Sequence, residues 1–188
     1  GWQYWQRTQS AKASVLYEQV ERAVQAGDLA RAEQVFGDVK DKFGGTVYAH
    51  QAGLLVAQAA AGKGKPDTAK SALSWVAGEA SDEGLQAIAR LRLAALLADA
   101  KQYDEALRQL EAEVPTQFEP LVSDRRGDIF QLQGKKAEAR AEYEKAYRSL
   151  DEQADYRRLI EVKLTALGVD PKSLAADKSG AQGGSARS

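Results

Sequence analysis

The sequence predicts an all-α fold of four helix pairs closed by a ninth helix, and three observations carry that prediction. Ala, Leu, Glu, Gln, Lys and Arg dominate the 188 residues, only 4 are Pro, and β-branched residues rarely cluster. Four short strings read as one turn leading into one kind of second helix: Gly27-Asp-Leu-Ala-Arg-Ala32, Lys65-Pro-Asp-Thr-Ala69, Gln102-Tyr-Asp-Glu-Ala106 and Lys135-Lys-Ala-Glu-Ala139. Their closing alanines stand 37, 37 and 33 residues apart, close to the period of about 34 expected of a two-helix repeat. Small and aromatic residues also recur at matching offsets within each repeat.

The first pair is expected near 8–26 and 29–42, with Gly27, Ala32, Phe36 and Val39 in register. The second lies near 46–62 and 66–78, carrying Ala57, Gly64, Ala69, Leu73 and Val76; Pro66 suits a first turn, where its missing N–H has no partner to lose. The third spans 82–100 and 103–114, with Ala94, Leu97, Tyr103, Ala106 and Leu110. Ser81 or Asp82 caps its first helix, and Glu79 and Glu83 add negative charge near that N-terminus. Lys101 stands where the other turns suggest Gly, so the third turn is the weakest, and Pro115 stops the sixth helix.

The fourth pair, near 118–133 and 135–150, has Pro120 in its first turn and carries Gly127, Phe130, Gly134, Ala139, Tyr143 and Ala146. These fall where the tetratricopeptide pattern wants small, aromatic, turn, small, aromatic and small residues. Gly127 and Ala139 let the two helices approach, Phe130 and Tyr143 fill the space around that contact, and Gly134 supplies positive φ. In the ninth helix, near 154–167, Leu159, Val162, Leu164 and Leu167 are expected to cover the end of the stack. Tyr156, Arg157, Arg158, Glu161 and Lys163 are expected to face water. The helical domain thus runs over 8–168, and 169–188, rich in Ser, Ala, Gly, Lys and Asp, is expected to be disordered.

Composition narrows the function. With 26 basic and 27 acidic residues the net charge is -1, so phosphate neutralisation gives no reason to expect nucleic acid as a partner. No cysteine is present, which excludes disulfides, thiolate catalysis and Cys-based metal sites. A single histidine, His50, excludes sites needing two imidazoles. Methionine is absent and the sequence begins at Gly1, so residues ahead of it are expected to have been removed. Trp2, Tyr4 and Trp5 followed by Arg7 and Lys12 mark 1–7 as the outer end of a deleted N-terminal transmembrane anchor. Nothing within the sequence itself is apolar enough to span a bilayer.

Catalytic candidates are few. A Ser/His/Asp arrangement needs His50, which reads instead as a half-exposed helix residue. Asp124 and Asp128 lie one turn apart and could share a proton or hold a cation, but helix-surface acid pairs are common and Arg125 and Arg126 adjoin them. Gly44-Gly45 and Gly62-Lys63-Gly64-Lys65 lack phosphate-loop spacing and read as turns. No cofactor or metal site is expected. The fifth helix, with Ile88, Leu91, Leu93, Leu96 and Leu97 among alanines, is apolar nearly all round, so it is buried or awaits a partner. The first helix of each pair lines the inner wall, placing Tyr17, Glu21, Leu54, Gln58, Leu91, Ala95, Asp124, Asp128 and Gln131 on a shallow partner-binding groove, or packing them inside a tight stack.

With these residues assembled, the sequence resembles the YfgM-type ancillary subunits of the SecYEG translocon. The resemblance rests on Gly1-Trp-Gln-Tyr-Trp5, on Ser81-Asp-Glu-Gly-Leu85 leading to Leu91-Arg-Leu-Ala94, on Asp124-Arg-Arg-Gly127 followed by Gly134, and on Lys163 to Leu167. It implies one N-terminal transmembrane helix in the bacterial inner membrane and a periplasmic tetratricopeptide-like domain. The implied partners are the SecYEG translocon, a periplasmic chaperone of the PpiD type and exported client chains; no catalytic residues are implied. The alternatives are a helical-repeat assembly factor of the outer-membrane or cell-division machinery, or an enzyme using Asp124 and Asp128.

Overall fold

The computed structural model describes residues 1–174, and every regular element among them is helical. The chain divides between Asp99 and Ala100 into two compact units where a single domain was expected.

The first unit holds α1 (Trp2–Gln25), α2 (Leu29–Phe43), α3 (Val47–Gly62), α4 (Pro66–Glu79) and α5 (Glu83–Asp99). The starts of α2, α3 and α5 are capped by side chains: Asp28 accepts from the Arg31 amide at 3.1 Å, Thr46 from Ala49 at 3.3 Å and Asp82 from Leu85 at 2.9 Å. Gly27 and Gly64 turn the chain at φ 72° and 70°. The Lys63 ammonium of the second turn donates to the Gly27 carbonyl of the first, tying adjacent repeats together. The core is built of small and β-branched side chains, with Ala13, Val20, Ala32, Val39, Ala49 and Ala69 fully buried. Gly53 sets how closely α3 meets its neighbours: a Cβ there would lie 2.7 Å from Val76 Cγ2 and 3.3 Å from the Phe36 ring.

α1 begins six residues ahead of the expected 8. Its added turns contain no helix breaker, Trp2 and Trp5 stack at 5.3 Å, and the Thr8 hydroxyl donates to the Tyr4 carbonyl at 2.9 Å.

The second unit holds α6 (Tyr103–Gln109), a 3₁₀ turn (Thr116–Phe118), α7 (Glu119–Leu132), α8 (Lys136–Ser149) and α9 (Asp155–Ala166). α6 stops five residues short of the expected 114. The Leu110 and Glu111 amides bond back only three residues, to Leu107 and Arg108, and Glu111 and Glu113 place negative charge at a C-terminus that disfavours it. α7 and α8 pack through Gly127, where an added Cβ would meet the Tyr143 ring at 2.5 Å. The close approach read from the sequence at that glycine is therefore real. All four register alanines, 32, 69, 106 and 139, are fully buried.

α9 is turned relative to expectation. Arg157, Ile160 and Leu164 are its buried residues, whereas Leu159 and Val162 are 47% and 66% exposed. Ile160 and Leu164, with Tyr156 and Lys163 in the same helical phase, form the face that packs; Leu159 and Val162 fall on the other side. The folded part also reaches beyond the expected end at 168. Val169 and Leu174 are buried in a cluster with Ala139, Tyr143, Ala146, Ile160 and Leu164, and 171–174 form a helical turn. The rest of the expected disordered tail, 175–188, lies outside the described residues.

Candidate functional site

Two features stand out among the residues the sequence marked for function, one in each unit. In the first unit, His50 is 1% exposed, not half-exposed as expected. Its ring packs 5.4 Å from Trp75, which meets Phe36 edge-on at 5.6 Å. His50 Nε2–H donates to the Gly44 carbonyl at 2.8 Å; a carbonyl only accepts, so the proton sits on Nε2. The imidazole thus pins the α2–α3 turn. Of the wall residues in this unit, Leu54 and Leu91 are buried in packing, Tyr17, Glu21 and Ala95 are half-buried, and Gln58 is exposed. Tyr17 lies 6.1 Å from Tyr48, and burial, then the Glu21 charge, raises its hydroxyl pKa above the ordinary tyrosine value.

In the second unit, Asp124 and Asp128 are no open surface pair. Asp124 is 4% exposed, so the expected solvated helix surface is corrected here to a buried polar network. The Lys163 ammonium of α9 reaches Asp124 at 2.7 Å and Asp128 at 2.9 Å. The Tyr156 hydroxyl donates to Asp124, and the Tyr143 hydroxyl of α8 donates to Asp128 at 2.7 Å. Arg125 adds a longer contact to Asp128 at 3.9 Å. Gln131, the remaining wall residue, is exposed.

This network explains the tyrosine electrostatics. Burial, then the hydrogen bond to Asp128, pushes the Tyr143 hydroxyl far above ordinary tyrosine; burial, then the bond to Asp124, does the same for Tyr156. Both hydroxyls are held protonated as donors. Two carboxylates, one ammonium and two phenols therefore satisfy one another and join α7, α8 and α9. Nearby, the Arg157 guanidinium lies 3.9 Å from the Tyr147 ring centre and donates to the Tyr147 carbonyl at 3.3 Å.

Tyr156, Arg157 and Lys163 are the residues sequence reasoning placed wrongly, on the wet side of α9. The usable signal was phase: 156, 160, 163 and 164 repeat at i, i+4, i+7 and i+8, one face of a helix. A lysine and a tyrosine on the face shared with Ile160 and Leu164 call for buried polar partners, which α7 supplies.

Helix pairs joined by glycine turns and close small-residue contacts define a helical-repeat protein, and its most prominent acid pair is committed to internal bonds. The family description "Tetratricopeptide repeat-like domain" matches residues 1–169. A protein of Neisseria gonorrhoeae named ancillary SecYEG translocon subunit is 30% identical over 155 residues, covering 82% of this chain and 74% of its own length. The Escherichia coli protein of the same name is 29% identical over 175 residues, covering 90% and 82%. A solved structure described as a kinesin light chain of Podosopora anserina with nearly identical TPR-like repeats aligns over 95% of this chain and 99% of its own, with a TM-score of 0.63 at 16% identity; it bears on the fold alone. The chain belongs to the tetratricopeptide repeat-like family and, within it, to the ancillary SecYEG translocon subunits. Among the described residues no helix is long and apolar enough to cross a membrane.

Proposed function

We propose that the chain is a non-enzymatic scaffold of the Sec translocon, held at the bacterial inner membrane by a helix ahead of Gly1, with its helical domain in the periplasm. There it links the translocon to a PpiD-type chaperone and to exported client chains. The observation that supports this reading is the match, along most of both chains, to relatives named as translocon subunits. The internal geometry agrees with it. Asp124 is occupied by Lys163 and Tyr156, and Asp128 by Lys163 and Tyr143, so neither carboxylate stands ready for general acid or base work. His50 is committed to the α2–α3 turn. What each unit offers a partner is the accessible part of its wall: Tyr17, Glu21, Gln58 and Ala95 in the first, Asp128 and Gln131 in the second. Anchoring would raise the effective concentration of these surfaces at the membrane.

Photocrosslinkers at Gln58 and Gln131, carried by the membrane-anchored form in cells, test this function. Adducts with translocon and chaperone components are expected. Adducts with neither from both positions, in a protein that remains folded, would overturn it.

A further inference from the structure

We propose that the groove between α9 and the segment after Gly168 is the open seat of a fifth repeat's second helix, and that it takes an acidic amphipathic helix from another protein. This rests on the scaffold reading above and gives the second unit a docking surface apart from the wall residues. Gly168 stands 34 residues after Gly134 and turns the chain at φ 81°, against 75° at Gly134. α9, which closes the stack, therefore also has the register of a first helix. A second helix starts where one is due: the Asp170 carboxylate accepts from the Lys172 amide at 3.0 Å, and residues 171–174 are helical with Pro171 leading. In the pair before, α8 covers α7 along 14 residues and sets Tyr143 against Gly127. Here the described turn supplies only Val169 and Leu174 to the cluster around Ile160 and Leu164. Residues 175–188 carry no apolar side chain larger than alanine and include Gly180, Gly183 and Gly184, so their sequence offers nothing to fill the rest of the seat.

What remains open is a groove of about 570 Å³. One face of α9 walls it, with Arg158, Glu161, Val162 and Thr165 at i, i+3, i+4 and i+7; residues 170–172 and Tyr147 of α8 complete it. Val162 is 66% exposed there, and Leu159, three residues before it on α9, is 47% exposed. An apolar stripe beside a helix-long groove suits a helix laid along it. Charge selects which helix. The acids of the groove are already in use: Glu161 accepts from the Tyr147 hydroxyl at 3.4 Å, and Asp170 caps its own turn. Glu152, whose charge reaches Tyr147, does not line the groove. The Arg158 guanidinium and the Lys172 ammonium are exposed and form no hydrogen bond or ion pair among the described residues. The charges left for an occupant are thus positive, and they call for carboxylates flanking its apolar stripe.

The test uses the full chain and two fluorescent peptides of the length of α8, 14 residues, each stapled into a helix. Both carry leucines at i, i+4, i+7 and i+11; the flanking positions are Glu in one and Lys in the other. Fluorescence anisotropy should show the acidic peptide bound about tenfold or more tighter than the basic one. Arg158→Glu with Lys172→Glu should reverse that preference, a gain for the basic peptide that misfolding would not produce. Both positions are exposed, and circular dichroism checks the fold. Val162→Asp should weaken both peptides, and Arg7→Glu with Lys12→Glu, exposed positions of the first unit, should change neither. Binding of neither peptide, or a preference that the charge reversal leaves in place, would overturn the proposal. So would self-association of the chain that Val162→Asp abolishes, since a second copy would then occupy the groove. If peptide binding fails while translocon adducts persist, the seat falls alone; if adducts fail while charge-dependent peptide binding persists, the translocon role falls alone.

Discussion

The two units solve the same packing problem with different chemistry. The first is held by apolar contact: alanines and valines at its helix crossings, the Phe36–Trp75 pair, and His50 as its one fully buried polar side chain among the described residues. The second buries Ser123, Asp124 and Arg157, and its three long helices converge on the Lys163 ammonium and the carboxylates it bridges. Apolar packing depends little on pH and loses stability mainly through cavities or overfilling. A buried ionic network is conditional, because it stabilises only while every member keeps its partner. The second unit should therefore be the one that solution conditions and single polar substitutions can switch.

The largest effect is expected from Lys163→Ala. Asp124, nearly buried, would lose its ammonium with Asp128 as its neighbour, while Tyr156 and Tyr143 could each satisfy only part of a carboxylate. Removing one member of a buried pair costs about 3–5 kcal/mol, and the partial exposure of Lys163 lowers this to about 2–3 kcal/mol. All three tryptophans, 2, 5 and 75, lie in the first unit, so their emission in urea reports that unit alone. The variant should shift the circular-dichroism transition to lower urea and leave the tryptophan transition in place. A matching shift of the tryptophan signal would show that the units do not respond separately.

Next come paired glycine substitutions that apply one mechanism to both units. Gly127→Ala drives a methyl into the Tyr143 ring, which its bond to Asp128 keeps from swinging aside. Overpacking of this kind costs about 1–3 kcal/mol, and the upper end is expected here. Gly53→Ala meets Val76 and Phe36, aliphatic and aromatic neighbours with no polar tether, and the lower end of the same range is expected. Urea midpoints read by circular dichroism for Gly127→Ala, and by tryptophan emission for Gly53→Ala, check the ranking. Equal losses would deny the network its part in stiffening the second unit.

Alkaline titration comes third. In the unfolded chain tyrosine ionises near pH 10, whereas in the fold Tyr143 and Tyr156 hold their protons to higher pH because burial, then the carboxylate bonds, disfavour the phenolate. A raised folded pKa means the stabilisation is full below about pH 10 and is lost as pH climbs beyond it, since only the unfolded chain gains by ionising. The second unit should unfold at lower urea as pH rises past about 10. Tyr143→Phe with Tyr156→Phe should flatten that slope while lowering stability near neutrality. An unchanged slope in the double variant would assign the alkaline loss to other groups.

How much of this was legible in the sequence follows from which positions are set locally. The turn glycines, the register alanines and the Gly127 contact are dictated by backbone conformation and steric volume, which a repeat displays several times over; all were readable. The face of α9 was only partly readable: phase groups Tyr156, Ile160, Lys163 and Leu164 on one face, but the helix occurs once and carries apolar residues on the other side as well. Only the partner helix decides whether Leu159 or Ile160 goes inward, and Asp124 on α7 decides it by demanding Lys163. The acid pair failed for a related reason: two aspartates one turn apart look alike whether water or a lysine from 35 residues away satisfies them. His50 was misjudged because its partner is a backbone carbonyl, which leaves no mark in side-chain patterning.

The smallest predicted effect bears on the turn that opens the second unit. Gly27, Gly64 and Gly134 take positive φ in their turns, and Lys101 takes φ 62° in the corresponding one, the only non-glycine among the described residues to do so. The sequence marked this turn as weakest, and the backbone supplies the cause: a Cβ in the left-handed region crowds the following carbonyl. Relief of that crowding by Lys101→Gly is worth about 1–2 kcal/mol, but the added freedom of glycine in the unfolded chain takes back about 0.5–1 kcal/mol. A net gain of about 0.5–1 kcal/mol is expected, read as a higher urea midpoint in circular dichroism. Gly134→Ala reverses the experiment within the same unit and should lose a similar amount. A loss from Lys101→Gly would mean that the lysine side chain contributes more than its backbone strain costs, and the turn would then owe its form to contacts rather than to conformation.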